Sequence, residues 1–370
     1  MNQTNLLGHS LATSLDEDVR GRDDDVTRRI FLRLAAAGLS SAFLPLSQLG
    51  CTQQLSQQRA SSSAPMPGSP YTRTDDWYYV SIVDPYKADL EKYRLKIGGI
   101  VDDGLSISVP ALRTRFENVV QPITLACVGN PPEGRLVSAG FFRGVRVRDV
   151  LDLASMSDRA EAAIITGLDG YVALQSIKEL VRPESVFAFD MGPSPNELEP
   201  LTVEHGFPLR LMTPGLYGYM QPKWIDSVTI ADQRGYQEVL RGSIEYARGH
   251  VQLASGFSRP VEGQTVREGN VKVFGYSYGD GRPIAKVDIR IDGKGPWVPA
   301  EIVFNTPFDD LPPFVWVLWI FEWSAVRGER ELEARATYTD GTTQFEGRRF
   351  PYSGGSIASI PITVIPVPPK

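Results

Sequence analysis

Chemistry in this 370-residue chain has few places to sit. There are two cysteines, Cys51 and Cys127, and three histidines, His9, His205 and His250. The cysteines stand in contexts too different to suggest a disulfide framework, and the histidines lack metal-ligand spacing. No Cys-x-x-Cys-His stretch offers covalent haem attachment, so no haem is expected within the chain, and no glycine-rich phosphate loop occurs. Cys127 lies inside Thr124-Leu125-Ala126-Cys127-Val128-Gly129-Asn130. A thiolate there would be a soft ligand, whereas a lone buried cysteine is otherwise a small apolar filler. Its company decides between the two. Phe142-Arg143-Gly144-Val145-Arg146-Val147-Arg148-Asp149-Val150-Leu151 follows, then His205-Gly206-Phe207-Pro208-Leu209-Arg210, Pro214-Gly215-Leu216-Tyr217-Gly218 and Lys223-Trp224-Ile225.

These stretches, in this order, resemble the molybdopterin-binding domain of the sulfite oxidase family. The resemblance runs through almost everything after residue 71. It implies a molybdenum-molybdopterin cofactor, with Cys127 as the metal-binding thiolate and His205, Arg210 and Lys223 holding the pterin and its phosphate. Asn130 and Gly215 fall in the cofactor-binding stretches. Tyr71-Thr72-Arg73 matches an aromatic-x-Arg segment, which makes Arg73 a candidate anion contact near the metal. Tyr236 stands nearest the place of the family's active-site tyrosine. Asp169-Gly170-Tyr171 and Phe189-Asp190-Met191 resemble architectural segments. Sulfite oxidases carry an arginine directly after the Cys-x-x-Asn stretch; here the residues are Pro131-Pro132.

The activity implied is oxygen-atom transfer on a small sulfur-containing substrate, with electrons passing to an external carrier such as a c-type cytochrome. A reductase of S-oxides or N-oxides is the alternative within the family. A non-catalytic envelope binding protein on the same fold is the alternative outside enzymology, opposed by the retained Cys127, His205, Arg210 and Lys223. Relatives often pack through their second domain, so a homodimer is plausible.

The elements that must position these residues follow from composition and periodicity. A chain with 42% hydrophobic and 22% charged residues, 34 glycines and 28 prolines is strand-rich and loop-rich, and long enough for two cores. A net charge of -6 leaves no general basic surface, so nucleic acid is not an expected partner. Leu95 to Ile97 and Ala163 to Thr166 read as strands. Val109 to Glu117 reads as a helix entered through Pro110, and Arg148 to Ala154 as a second with Val150, Leu151 and Leu153 inward. The fold class expected is α+β: a mixed molybdopterin-binding domain over 71–255, then an immunoglobulin-like β-sandwich over 260–370. Period-two strands at Ala285 to Ile291 and Leu332 to Tyr338, a turn at Asp292-Gly293, and the aromatic run Phe314 to Trp323 support the second.

Residues 1–50 read as an address. Thr27-Arg28-Arg29-Ile30-Phe31-Leu32-Arg33 before an apolar run resembles a twin-arginine export signal, which implies a periplasmic or envelope-anchored protein. Leu49-Gly50-Cys51 resembles the end of a lipoprotein signal except at Gln48, making Cys51 a candidate lipid anchor. Residues 51–70, rich in Gln, Ser, Ala and Pro, read as a flexible tether.

Overall fold

The computed structural model describes residues 57–81, 84–232, 249–304, 314–347 and 354–368. The export-signal segment, Cys51 and Tyr236 lie outside the described residues.

The architecture is dominated by strands. In the first part, one sheet runs Glu197–Pro200, Val186–Ser194, Val137–Arg146, Asn118–Ala126, with Arg210–Met212 also pairing on Val186–Ser194. A second runs Leu105–Ile107, Leu95–Gly99, Ile225–Ala231, Ala162–Gly167, Val172–Ser176, and only its Leu95–Gly99 and Ile225–Ala231 pair is parallel. A core including Leu95, Ile97, Leu112, Val145, Leu151, Phe187 and Val228 fills the space between sheets and helices. Beside it a smaller cluster of Trp77, Tyr78, Ile123, Leu125, Phe142 and Met212 has Cys127 and Phe207 packed against its edge.

The helices are shorter or phased differently than the sequence suggests. The first spans Val109–Arg115, capped by Ser108, whose hydroxyl accepts from the Ala111 N–H at 3.3 Å. It ends before Glu117 because Asn118 Nδ2 donates to the Arg113 and Phe116 carbonyls and the chain turns extended at Phe116. The second spans Val147–Leu153 and buries Val147, Val150 and Leu151. Leu153 is 38% exposed, a correction to its inward reading, since the spacing i, i+3, i+4 leaves that position on the opposite face.

Two further sheets pack on a core that includes Val287, Trp319, Leu332 and Ile362. Ala254–Arg259, Gly269–Tyr278, Val317–Ala325 and Glu301–Phe304 form one. Thr265–Arg267, Ala358–Ile365, Gly328–Tyr338, Ile284–Ile291 and Lys294–Pro299 form the other. This set begins at Ala254, a few residues before the change of pattern at Pro260. Gly328–Tyr338 buries Leu332, Ala334, Ala336 and Tyr338 on one face, as its alternation predicts. Ile284–Ile291 buries Ile284, Val287 and Ile289 but exposes Ala285, because a register shift between Ile284 and Lys286 resets the alternation. Asp292 and Gly293, at φ 55 and 60, make the turn into Lys294–Pro299, matching the two left-handed positions of a tight hairpin.

Part of the stretch read as a tether lies among the described residues and pairs with the rest of the chain. Gln57–Arg59 pairs with Tyr79–Ser81, and the Pro70 carbonyl accepts from Trp316 Nε1 at 2.7 Å. Backbone pairing needs no apolar side chains, so composition could not reveal it.

Candidate active site

Cys127 follows the last residue of the strand Asn118–Ala126, where the sheet ends and the chain turns. Its N–H donates to the Leu136 carbonyl at 2.9 Å, and its carbonyl accepts from the Asn130 N–H at 3.0 Å. Asn130 is buried and fixes this loop: Oδ1 accepts from the Leu136 N–H at 2.7 Å, and Nδ2 donates to the Tyr278 hydroxyl at 3.1 Å. Both ends of the amide thus hold the cysteine loop, one of them against the second domain. Three phenols feel charge at Cys127. Burial is the main cause that raises Tyr78, Tyr171 and Tyr217, and negative charge at Cys127 adds to each. All three stay neutral at ordinary pH.

The basic cluster also acts on Tyr78, through Arg210. Gly206, at φ 107, turns the chain between His205 and Phe207; a Cβ there would lie 3.0 Å from Arg210 Cβ and 3.1 Å from Lys223 Cβ. Arg210 Nη1 donates to the His205 carbonyl at 3.0 Å and Nη2 to the Gln221 carbonyl at 3.4 Å, while its buried Nε has no hydrogen-bond partner. Lys223 Nζ donates to the Val80 and Glu204 carbonyls at 3.2 and 3.1 Å, and lies 4.3 and 4.4 Å from the ring centroids of Tyr79 and Trp224. Trp224 holds a φ of 51, rare for so bulky a residue, and its indole donates to the Val203 carbonyl at 2.8 Å.

Burial shifts each of these basic groups toward its neutral form. Burial first, then Arg210, Lys223 and Arg59, lowers His205 to about 3. Burial first, then Arg210, lowers Lys223 to about 7, and burial lowers Arg210 to about 10. Arg210 and Lys223 donate to the backbone carbonyls of His205, Gln221, Val80 and Glu204. Asp169 and Glu204 offset Lys223 only in part, so an anion seated here would meet buried positive charge, a setting that favours charge-assisted recognition of phosphate. Tyr78 joins the two halves, because its phenol feels both Cys127 and Arg210.

Other candidates stand elsewhere. Gly215, at φ 85, lies against the second domain; a Cβ would sit 2.5 Å from the Asp280 carbonyl oxygen. Arg73 is exposed ahead of the short turn Thr74–Asp76 and is not among the charges acting on His205, Arg210, Lys223 or the three phenols. Tyr78 and Arg59 are the neighbours that sequence reasoning missed. The only signal was the aromatic triplet Trp77-Tyr78-Tyr79 shortly after Arg73. Asp169 and Tyr171, read as architecture, border the cluster: Tyr171 Oη donates to the Tyr219 carbonyl at 2.8 Å, and Lys223 acts on the Asp169 carboxyl.

Among the described residues no three His, Cys, Asp or Glu side chains converge to hold a metal. A metal at Cys127 would need ligands that the described side chains do not supply. A pterin dithiolene with a phosphate tail provides sulfur for the metal and negative charge for the cation cluster, so the residues present fit it.

A model of the oxidoreductase molybdopterin-binding domain matches residues 82–238. The chain is 26% identical to mitochondrial sulfite oxidase of Macaca fascicularis over 66% of its own length and 51% of that protein. It is 27% identical to sulfite oxidase of Gallus gallus over 61% and 57% respectively, and 24% identical to the NADPH nitrate reductase of Mycosarcoma maydis over 57% and 28%. The chain thus spans about half the length of the sulfite oxidases it matches, and less of the nitrate reductase. The sulfane dehydrogenase SoxCD of Paracoccus pantotrophus shares its fold at a TM-score of 0.66 and 20% identity, covering 83% of this chain and 86% of that one. Matched domain and similar relatives lead to one conclusion: residues 82–238 are an oxidoreductase molybdopterin-binding domain, and the chain around it is similar to the sulfite oxidases and shares the SoxCD fold.

Proposed function

We propose that the protein holds a molybdenum-molybdopterin cofactor between Cys127 and the His205, Arg210, Lys223 cluster, and that it transfers an oxygen atom to or from a small sulfur-containing substrate. The buried, carbonyl-bound cations that share the neighbour Tyr78 with Cys127 carry this reading. When bound, the metal supplies oxygen-atom transfer and storage of the electrons, which leave to an external carrier such as a c-type cytochrome. Cys127 supplies a soft thiolate to the metal. Arg210 and Lys223 hold the anionic tail, and neutral His205, whose pKa lies near 3, donates or accepts one hydrogen bond without adding charge. Tyr78, Tyr171 and Tyr217 keep the thiol side lined by neutral phenols.

That lining, with Pro131-Pro132 after the cysteine loop, favours a neutral S-oxide or N-oxide as the second reading, since a sulfite oxyanion would gain more from a basic residue. The immunoglobulin-like character of the second domain, its use in a homodimer, export by the twin-arginine route and lipidation at Cys51 belong to the same proposal. They rest on the alternating strands and on the residues from Thr27 to Cys51.

The test is Cys127→Ser on the cofactor-loaded protein. A hydroxyl is a harder and far less acidic ligand, so turnover should be lost while pterin content and thermal midpoint stay near those of the parent. Normal turnover per bound molybdenum, with lowered stability, would instead make Cys127 a packing residue.

A further inference from the structure

The first described stretch of the chain lies outside the sheets of both domains yet reaches the cation cluster. Gln57–Arg59 adds an antiparallel strand to Tyr79–Ser81, pairing Gln58 with Val80 and Arg59 with Tyr79. Val80 supplies one of the two carbonyls that accept from Lys223, and Glu204 supplies the other. Arg59 Nη2 lies 2.7 Å from Glu204 Oε2, and its guanidinium carbon lies 5.9 Å from the Tyr79 ring centroid. Tyr79 in turn carries Lys223 at 4.3 Å and faces His205 at 6.4 Å. Two residues on, the Ser61 N–H donates to the Arg135 carbonyl at 2.8 Å, in the loop that follows Cys127. One strap therefore runs from the cations to the cysteine loop.

Fold stability does not account for Arg59. Its side chain is 49% exposed and that of Glu204 41%, and so open an ion pair contributes little net stability. Its location is nevertheless specific: a further positive charge stands near Arg210 and Lys223, which already repel each other, and it is one of the charges that depress His205. Such a gathering is unfavourable until a dianion enters, and then every member gains. A guanidinium also offers the planar fork that a phosphate monoester fits.

We propose that Arg59 is a third anion-binding cation of the cofactor site beside Arg210 and Lys223, brought to it by the strap and slowing escape of the bound phosphate monoester; this rests on reading neutral His205 with Arg210 and Lys223 as the phosphate cradle. With no anion bound, Glu204 occupies the guanidinium. With the anion bound, Arg59 shares itself between Glu204 and phosphate, and the strap is held more firmly than its three-residue pairing alone would hold it.

The test uses the full chain in two forms. The cofactor-free protein is titrated calorimetrically with inorganic phosphate, and the loaded protein is followed for pterin release by fluorescence. Arg59→Gln should weaken phosphate binding and speed release by roughly threefold to tenfold, the range of one solvent-accessible charge-assisted contact, with an unchanged thermal midpoint. Arg59→Lys should recover most of both, and high salt should shrink the difference. The idea is overturned if Arg59→Gln equals the parent in both readouts while Arg210→Ala loses phosphate. It is also overturned if Arg59→Gln lowers the thermal midpoint and lysine restores nothing, which would make the strap structural only. If Arg210→Ala too leaves phosphate binding intact, the cradle itself fails and Arg59 with it.

Discussion

At the scale of single residues, Lys223 shows how burial turns a strong base into a titrating group near neutral pH. In the folded, cofactor-free protein its pKa is about 7, against an ordinary lysine value of 10.5. Between those values the unfolded chain holds a proton that the folded chain lacks. Stability from this residue therefore rises with pH across the window, and the full cost of a buried charge remains below about pH 7. Phosphate binding should return the proton. We expect net proton uptake on phosphate binding at about pH 8.5, read by calorimetry in two buffers of different ionisation heat, and its disappearance in Lys223→Met. No dependence on the buffer would contradict the assigned environment. His205 acts in the other range: folded near 3 against 6.5, it lowers stability as pH falls through that interval, because only the unfolded chain takes the proton there.

At the scale of elements, the His205 to Arg210 segment works because it turns sharply at Gly206. Two glycines with similar backbone angles make the comparison: Gly206 at φ 107 is crowded by Arg210 and Lys223, while Gly341 at φ 86 has open space around its missing Cβ. Gly341→Ala should cost about 1 kcal/mol from left-handed strain alone and leave phosphate affinity untouched. Gly206→Ala should cost more, on the order of 1–3 kcal/mol, and weaken phosphate, because both flanking basic side chains must shift. Urea unfolding and phosphate titration of the two variants check this. Equal losses of stability with equal phosphate affinity would show that the crowding is inconsequential.

At the scale of the whole molecule, the second domain buttresses the cysteine strand. The Thr124 N–H donates to the Phe314 carbonyl at 2.6 Å, and Thr124 Oγ1 accepts from the Trp316 N–H at 2.8 Å. Trp316, 1% exposed, packs 5.3 Å from Tyr276 and reaches the Pro70 carbonyl through its indole. Around it Ala126, Val137 and Tyr217 of the first domain share a cluster with Val251, Tyr276, Tyr278 and Leu318. Trp316→Ala should therefore cost about 3–5 kcal/mol and reduce cofactor content together with stability. Measured by urea unfolding and pterin analysis, a stable variant with full cofactor would mean that the two domains are not coupled through this contact.

The stretches that carry Cys127, His205, Arg210 and Lys223 could be picked out in the chain because each is contiguous and resembles a segment of a known family; their roles remain the proposal made above. The alternation of Leu332 to Tyr338 was legible because a strand's faces depend only on its own period. What folding alone decided were meetings between distant surfaces. Arg59 pairs with Glu204, Asn130 with Tyr278, and Gly215 packs on Asp280; none of these partners shares a period or a motif with the other. The phase of Ala285 was decided by a bulge against Gly328–Tyr338, which belongs to the pair of strands and not to either sequence. The charge state of the site follows the same division: basic residues are visible as letters, but the burial that brings Lys223 to about 7 exists only once the walls around it have closed.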